Sequence, residues 1–207
     1  MKRIIAFVLS VVMLISVIPA QQLFAAGTAE EHYFELDTDE IDAGADYLIV
    51  SAKADGTAYA LQKGTTLGKE VTISNKTISS FDDASCIWTF EGAENGTVTN
   101  GSDYLDIQDG ISFSPEKSIL NFADFSAGVY GIYLEDATSH SLHYLRYDGS
   151  NWIEEVNSDT DASGSNMGSY KSCVYLFKKI TFQNISYHGN GHTAGELPEG
   201  QTKVKTG

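Results

Sequence analysis

The side chains with the plainest chemistry in this sequence are carboxylates and imidazoles at short spacing. Asp159-Thr160-Asp161-Ala162-Ser163-Gly164 has the front half of a calcium-binding loop, with oxygen donors on alternate positions before a glycine. The twelfth position of such a loop supplies a bidentate Glu, and here it is Tyr170. The segment therefore reads as a solvated Ser/Asp/Gly connection. Asp37, Asp39, Glu40 and Asp42 form a second acidic run, which reads as a solvated face rather than a metal cage. His140-x-x-His143 and His188-x-x-x-His192 have spacings found in zinc sites. Neither pair has a Cys nearby, and a tetrahedral site needs further ligands. Neither a metal nor a cofactor is expected.

Catalysis fares no better. Asp82-Asp83 and Glu154-Glu155 are adjacent carboxylates, and neighbours on a strand face opposite ways. They do not make the acid and nucleophile of a glycoside hydrolase, which must flank one bond. The sequence also has no Gly-x-Ser-x-Gly elbow, Walker loop or His-Glu-x-x-His motif. No catalytic residue is assigned, and the chain is not read as an enzyme.

The chain must then be read from its elements. Its 207 residues leave room for one full domain and part of another. Hydrophobic residues are 42%, with 11 Tyr and 10 Phe, enough to build a packed core. The formal net charge is −15, which repels phosphate backbones and anionic lipids. Nucleic-acid and membrane-surface partners are therefore not expected. Lys2-Arg3, the apolar run Ile4–Ile18, Pro19 and the small residues up to Ala26 have the anatomy of a secretory signal peptide. The apolar run is too short for a membrane span of about 20 residues. Cleavage after Ala25 or Ala26 removes residues 1–26 and sends the mature chain out of the cell, secreted or held at the cell surface, with no transmembrane span. Such export permits a disulfide without requiring one.

Beyond Tyr47 the chain reads as all-β. Short runs of Val, Ile, Tyr, Phe and Thr alternate with Gly, Asp, Asn and Ser clusters. Twelve candidate strands run from Tyr47–Ser51 to Ser172–Lys178. Residues 27–43 precede them as a lead-in. The strands repeat in fours. Cys86-Ile87-Trp88-Thr89-Phe90 matches Ser118-Ile119-Leu120-Asn121-Phe122 and Cys173-Val174-Tyr175-Leu176-Phe177, at strands four, eight and twelve. Ala60-Leu61, Tyr104-Leu105 and Tyr144-Leu145 recur at strands two, six and ten. Residues two apart share a strand face. The nine alternate residues of the first motif, Cys86 to Phe177, are therefore expected in the core, Trp88 among them. Cys86 and Cys173 fall on one repeat position, with Ser118 as the third member. The three four-strand units resemble a β-trefoil, and the barrel that this resemblance implies would hold equivalent strands too far apart for a disulfide, so two free thiols are favoured.

The β-trefoil is a six-stranded barrel capped by three hairpins. The resemblance covers residues 44–179, and a β-sandwich is the alternative. It implies shallow glycan sites, one per lobe, near the hairpins. On this chain the residues placed for them are Tyr59, Asp103, Tyr104, Tyr144, Tyr147 and Trp152. Residues 180–207 change character. Ile185-Ser186-Tyr187-His188-Gly189-Asn190-Gly191, then Gly195-Glu196-Leu197-Pro198 and a polar tail to Gly207, resemble the opening of an internalin-type B-repeat. His188 stands where that family usually has Asp. The resemblance implies a partial β-grasp-like repeat of the kind strung along extracellular proteins. The expected function is a non-catalytic binding or adhesion module of a bacterial surface protein, taking extracellular glycans or a host or matrix surface. The alternative is an N-terminal accessory domain of a larger secreted glycoside hydrolase or peptidase.

Overall fold

A computed structural model describes residues 32–53, 55–126, 128–157, 173–185 and 201–205. The signal-like segment with Ala25 and Ala26, the Asp159–Tyr170 loop and the pair His188 and His192 lie outside the described residues. The described chain is all-β, relieved by a single 3₁₀ turn at Ala84–Cys86. Among the described residues no helix is long and apolar enough to cross a membrane.

The strands are β1 (His32–Leu36), β2 (Asp46–Ala52), β3 (Ala58–Ala60), β4 (Lys69–Val71), β5 (Thr77–Phe81) and β6 (Ile87–Phe90). They continue as β7 (Asn95–Gly96), β8 (Val98–Asn100), β9 (Asp103–Asp106), β10 (Ser112–Ser114), β11 (Leu120–Ser126) and β12 (Val129–Glu135). The chain ends with β13 (Leu142–Tyr147), β14 (Trp152–Asn157), β15 (Val174–Ile180), β16 (Phe182–Ile185) and β17 (Gln201–Lys205). Each of the twelve strands read from the sequence has an observed counterpart. Four strands lie outside those twelve: β1, β5, β16 and β17. β1 lies inside the lead-in and pairs with both β15 and β5. Phe34, at its centre, is fully buried, which is worth about 1.5–3 kcal/mol to holding the strand down. β16 and β17 pair with each other, so part of the tail beyond residue 180 is a hairpin of its own.

The pairing is antiparallel throughout. Hairpins β3–β4, β9–β10 and β13–β14 recur, one in each third of the chain. The turn of the third is set by Asp148, whose carboxylate accepts from the Ser150 and Asn151 N–H groups at 2.7 and 2.8 Å. Gly149 beside it has φ +106°, a conformation that side chains disfavour.

The closed barrel expected from the sequence is not what the hydrogen bonds draw. The main sheet is open, in the order β10-β9-β8-β6-β2-β15-β12-β11-β7. The ladder breaks at Thr97, the one residue between β7 and β8. Its carbonyl accepts from the Glu91 N–H at 2.9 Å, beyond the end of β6, and its hydroxyl donates to the Glu91 carboxylate. β8 then pairs with β6, whereas β7 pairs with β11.

Two apolar clusters flank the sheet. The larger holds Tyr47, Ile49, Trp88, Phe90, Leu120, Phe122, Val174 and Leu176. The second holds Phe34, Leu48, Val50, Ile78, Phe81, Cys86 and Phe177. This corrects the expected nine-residue core. Trp88, Phe90, Leu120 and Phe122 point inward as read. In the third repeat the faces are exchanged: Val174 and Leu176 enter the main core, while Tyr175 and Phe177 face the second cluster. The cause is the second cluster, in which Phe34 of β1, Ile78 and Phe81 of β5, and Ala58, Ala60 and Val71 of the first hairpin pack with Leu48, Val50 and Phe177. Both faces of β15 and β2 are apolar, so alternation no longer says which face is inside.

Candidate functional site

Three of the six sequence-predicted contact residues come together. Tyr59 stands on β3 and Tyr147 at the end of β13, far apart in sequence. Their rings stack with centroids 5.0 Å apart and planes 24° apart. The Lys53 ammonium lies 4.8 Å from the Tyr59 centroid and 5.8 Å from that of Tyr147. Beneath, Trp152 packs on Tyr147 at 5.4 Å. Both tyrosines are half-buried, with the rings partly open to solvent. Trp152 is only 1% exposed, so it supports the stack and does not face a ligand.

The two hairpins that carry these rings are clamped together. The Trp152 N–H donates to the Thr66 carbonyl at 2.7 Å, and Leu67 bridges to Asn151. Gly68 makes the close approach possible. A Cβ there would lie 2.7 Å from the Tyr59 Cβ and 3.1 Å from the Tyr147 ring. Leu67, which precedes Gly68, is 60% exposed. Burial pushes the Tyr147 phenol above its ordinary pKa, with Tyr59 and Asp148 adding to the shift. The phenol stays neutral at physiological pH, a donor as well as an acceptor.

The other three residues are elsewhere. Asp103 pairs with Lys63 at 2.8 Å. That lysine also donates to the Asn100 carbonyl at 2.9 Å, so the pair fastens β9 to the first hairpin's loop. Tyr104, half-buried on β9, lies under the Lys117 ammonium at 5.6 Å. Tyr144 is 5% exposed and packs on Tyr133 at 5.2 Å, with its phenol pKa raised by burial. The six residues therefore do not form one site, nor three equivalent ones. Asp103 is engaged structurally and Tyr144 is core.

The histidine pair also separates. His140 meets Glu135 at 3.1 Å on the surface, while His143 is bonded to Glu154 in a largely buried pair. Glu155, next in sequence, points the other way to Arg146. Among the described residues no three His, Cys, Asp or Glu side chains converge to hold a metal ion.

A second feature was not visible in the sequence. A cleft of about 670 Å³ opens between the segment before β2, the β6–β7 turn and strands β11 and β12. Tyr133, half-buried, supplies its open aromatic surface, backed by the buried Phe122 and Tyr130; Glu40, Glu94 and Asp124 supply carboxylates. Asn95 and Asn121, paired across β7 and β11, add amides. The rims are held in place. The Tyr130 hydroxyl donates to the Asp39 carbonyl, and the Glu94 carbonyl accepts from the Phe122 N–H at 2.8 Å. Burial pushes the Tyr130 phenol up to about 12, and Asp124, Asp37, Asp39 and Glu40 push the same way. Only the acidic run Asp37–Asp42 and the outward-facing Asn121 hinted at this wall from the sequence.

No protein-family model matches the chain, and a search of curated proteins finds no match.

Proposed function

We propose that this chain is a non-catalytic extracellular binding module, with Tyr59 and Tyr147 as a glycan-binding platform. The stacked pair under Lys53 is the observation that carries the reading. A sugar ring has an apolar C–H face and a polar edge. Two phenol rings offer apolar area together with hydroxyls, and the Lys53 ammonium and the Asp148–Asn151 turn stand beside them to meet the edge. The signal-like N-terminus supports export, and the likeness of residues 180–207 to a surface-type repeat supports a place on the cell exterior.

The trefoil architecture belongs to the same proposal. Its support is a circuit of pairings: β2–β6, β6–β8, β7–β11, β11–β12, β12–β15 and β15–β2. β7 and β8 are successive pieces of one run interrupted at Thr97, so the two ends of this series of pairings meet through the chain and not through a ladder. Cross-strand contacts between Thr89 and Thr99 and between Gly96 and Leu120, seen together in one solution spectrum, test the circuit. Loss of either set would leave a sandwich.

The function is tested by screening the secreted chain on a glycan array beside Tyr59→Ala and Tyr147→Ala. The expected result is binding to a restricted set of neutral glycans, lost in both variants while Tm moves by a few degrees. Binding that survives both substitutions, or none at millimolar sugar, overturns the platform.

A further inference from the structure

We propose that the cleft bounded by Glu40, Glu94, Asp124, Phe122, Tyr130 and Tyr133 is a second binding site, one for an alkylammonium group. It does not depend on the glycan platform, whose residues it does not share.

The size is that of a small-molecule site, since ligand pockets run from about 300 to 1,000 Å³. The lining is of one sign. Three carboxylates stand around it, and none of its lining residues is Lys, Arg or His. Lys178, which stands near the acidic run, is already engaged with Asp42. Burial raises the Tyr130 phenol, and Asp124, Asp37, Asp39 and Glu40 push it the same way. These charges call for a cation.

The spacing selects the kind of cation. The carboxylates come from three separate segments and are spread around the opening. Among the described residues they do not converge as metal ligands do. A bare divalent ion would leave the aromatic lining idle. An alkylammonium uses both parts: its charge faces the carboxylates, and its methylenes cover the half-buried Tyr133 ring and the small edges of Phe122 and Tyr130 that reach the cleft. Asn95 and Asn121 add amide oxygens that accept from the ammonium protons. The held rims mean that little ordering is needed on binding.

The test is a titration of the ¹⁵N-labelled mature chain with n-butylammonium chloride, beside n-butanol as the neutral isostere and sodium chloride as the ionic control. The expected result is saturable shifts at the Asn95 and Asn121 side-chain amides and the Tyr130 and Tyr133 backbone amides. The affinity for n-butanol should be at least tenfold weaker. Asp124→Asn and Glu94→Gln should each weaken n-butylammonium binding several-fold with Tm unchanged, and Tyr59→Ala should leave it intact. Equal affinity for n-butanol, the same shifts with sodium chloride, or no saturable shifts would overturn the site. Should a neutralised variant fail to fold, Tyr133→Leu serves instead: it keeps the apolar wall, and unweakened binding there would also count against the proposal.

Discussion

The Trp88 indole N–H donates to the Leu61 carbonyl at 3.0 Å in a fully buried setting. Trp88 is on a strand of the main sheet and Leu61 just follows β3, so the bond ties the first hairpin to the sheet. The same indole stacks on Phe113 at 5.6 Å, reaching the second hairpin. Trp152 is equally buried, yet its indole N–H finds no acceptor among the described residues.

The two tryptophans should therefore respond differently to one substitution. Trp88→Phe removes a donor and leaves the Leu61 carbonyl buried without it, at a cost of about 1–3 kcal/mol beyond the lost volume. Trp152→Phe loses volume alone and should cost less. Trp88→Ala should cost about 3–5 kcal/mol. Urea unfolding of the three variants checks the order. Equal losses for the two Phe substitutions would show that the indole bond contributes nothing net.

The inward placement of Trp88 and Phe90 was legible by alternation with Thr89 on β6, although the same rule put Cys86 in the main core and it lies in the second cluster. The same rule misplaced Tyr175 and Phe177, since β15 is covered on both faces and its sequence is apolar at every step from Val174 to Phe177. The edge-pairing strand β1 was missed because His32–Leu36 is five residues with charged and apolar positions mixed. The sites were less legible still. Tyr59 and Tyr147 were named, but nothing in a sequence says that two rings so far apart will stack. Gly68 and Lys53, which permit and cap the stack, carry no local signal. The cleft draws its walls from four separated segments, and that convergence exists only in the folded chain.

Gly68→Ala should disable the platform without touching a ring. The added Cβ would stand 2.7 Å from the Tyr59 Cβ, which is backbone-anchored and cannot swing aside. Either β3 shifts or the stack opens. Glycan binding should fall at least tenfold, and stability by about 1–3 kcal/mol, as overpacking costs. Isothermal titration beside thermal melts measures both. Full binding in Gly68→Ala would show that the two tyrosines do not act as one surface.

The cysteines should behave as two thiols of unequal access. Both are free, Cys86 fully buried and Cys173 half-buried. Burial pushes the Cys86 thiol up to about 12, with Asp83 adding to the shift, and raises that of Cys173 in the same direction. At pH 8 the thiolate of Cys86 is roughly one part in ten thousand. A disulfide reagent should modify Cys173 slowly in the native protein and reach Cys86 only at the rate of unfolding. Unfolded, unreduced protein should show two reactive thiols. None would mean that the two are bridged.

Alkaline pH should unfold the protein through its tyrosines. Burial raises the Tyr47 phenol above its ordinary pKa, and Tyr130 is raised to about 12. The Tyr47 hydroxyl donates to the Asp37 carboxylate at 2.8 Å and accepts from the Asp42 N–H at 2.9 Å; that of Tyr130 donates to the Asp39 carbonyl. Ionising either one removes a donor and sets a phenolate beside carboxylates. The native state holds these protons more tightly than the unfolded chain, where a tyrosine titrates near 10. Their contribution to stability is therefore complete below about pH 10 and is lost as pH climbs through about 12. Exposed tyrosines should titrate first at 295 nm, followed by a cooperative step coincident with loss of near-ultraviolet dichroism. Tyr130→Phe should flatten the fall in Tm over that interval. Titration of all 11 tyrosines near pH 10 with the fold intact would show that the acidic segment before β2 does not seal these phenols.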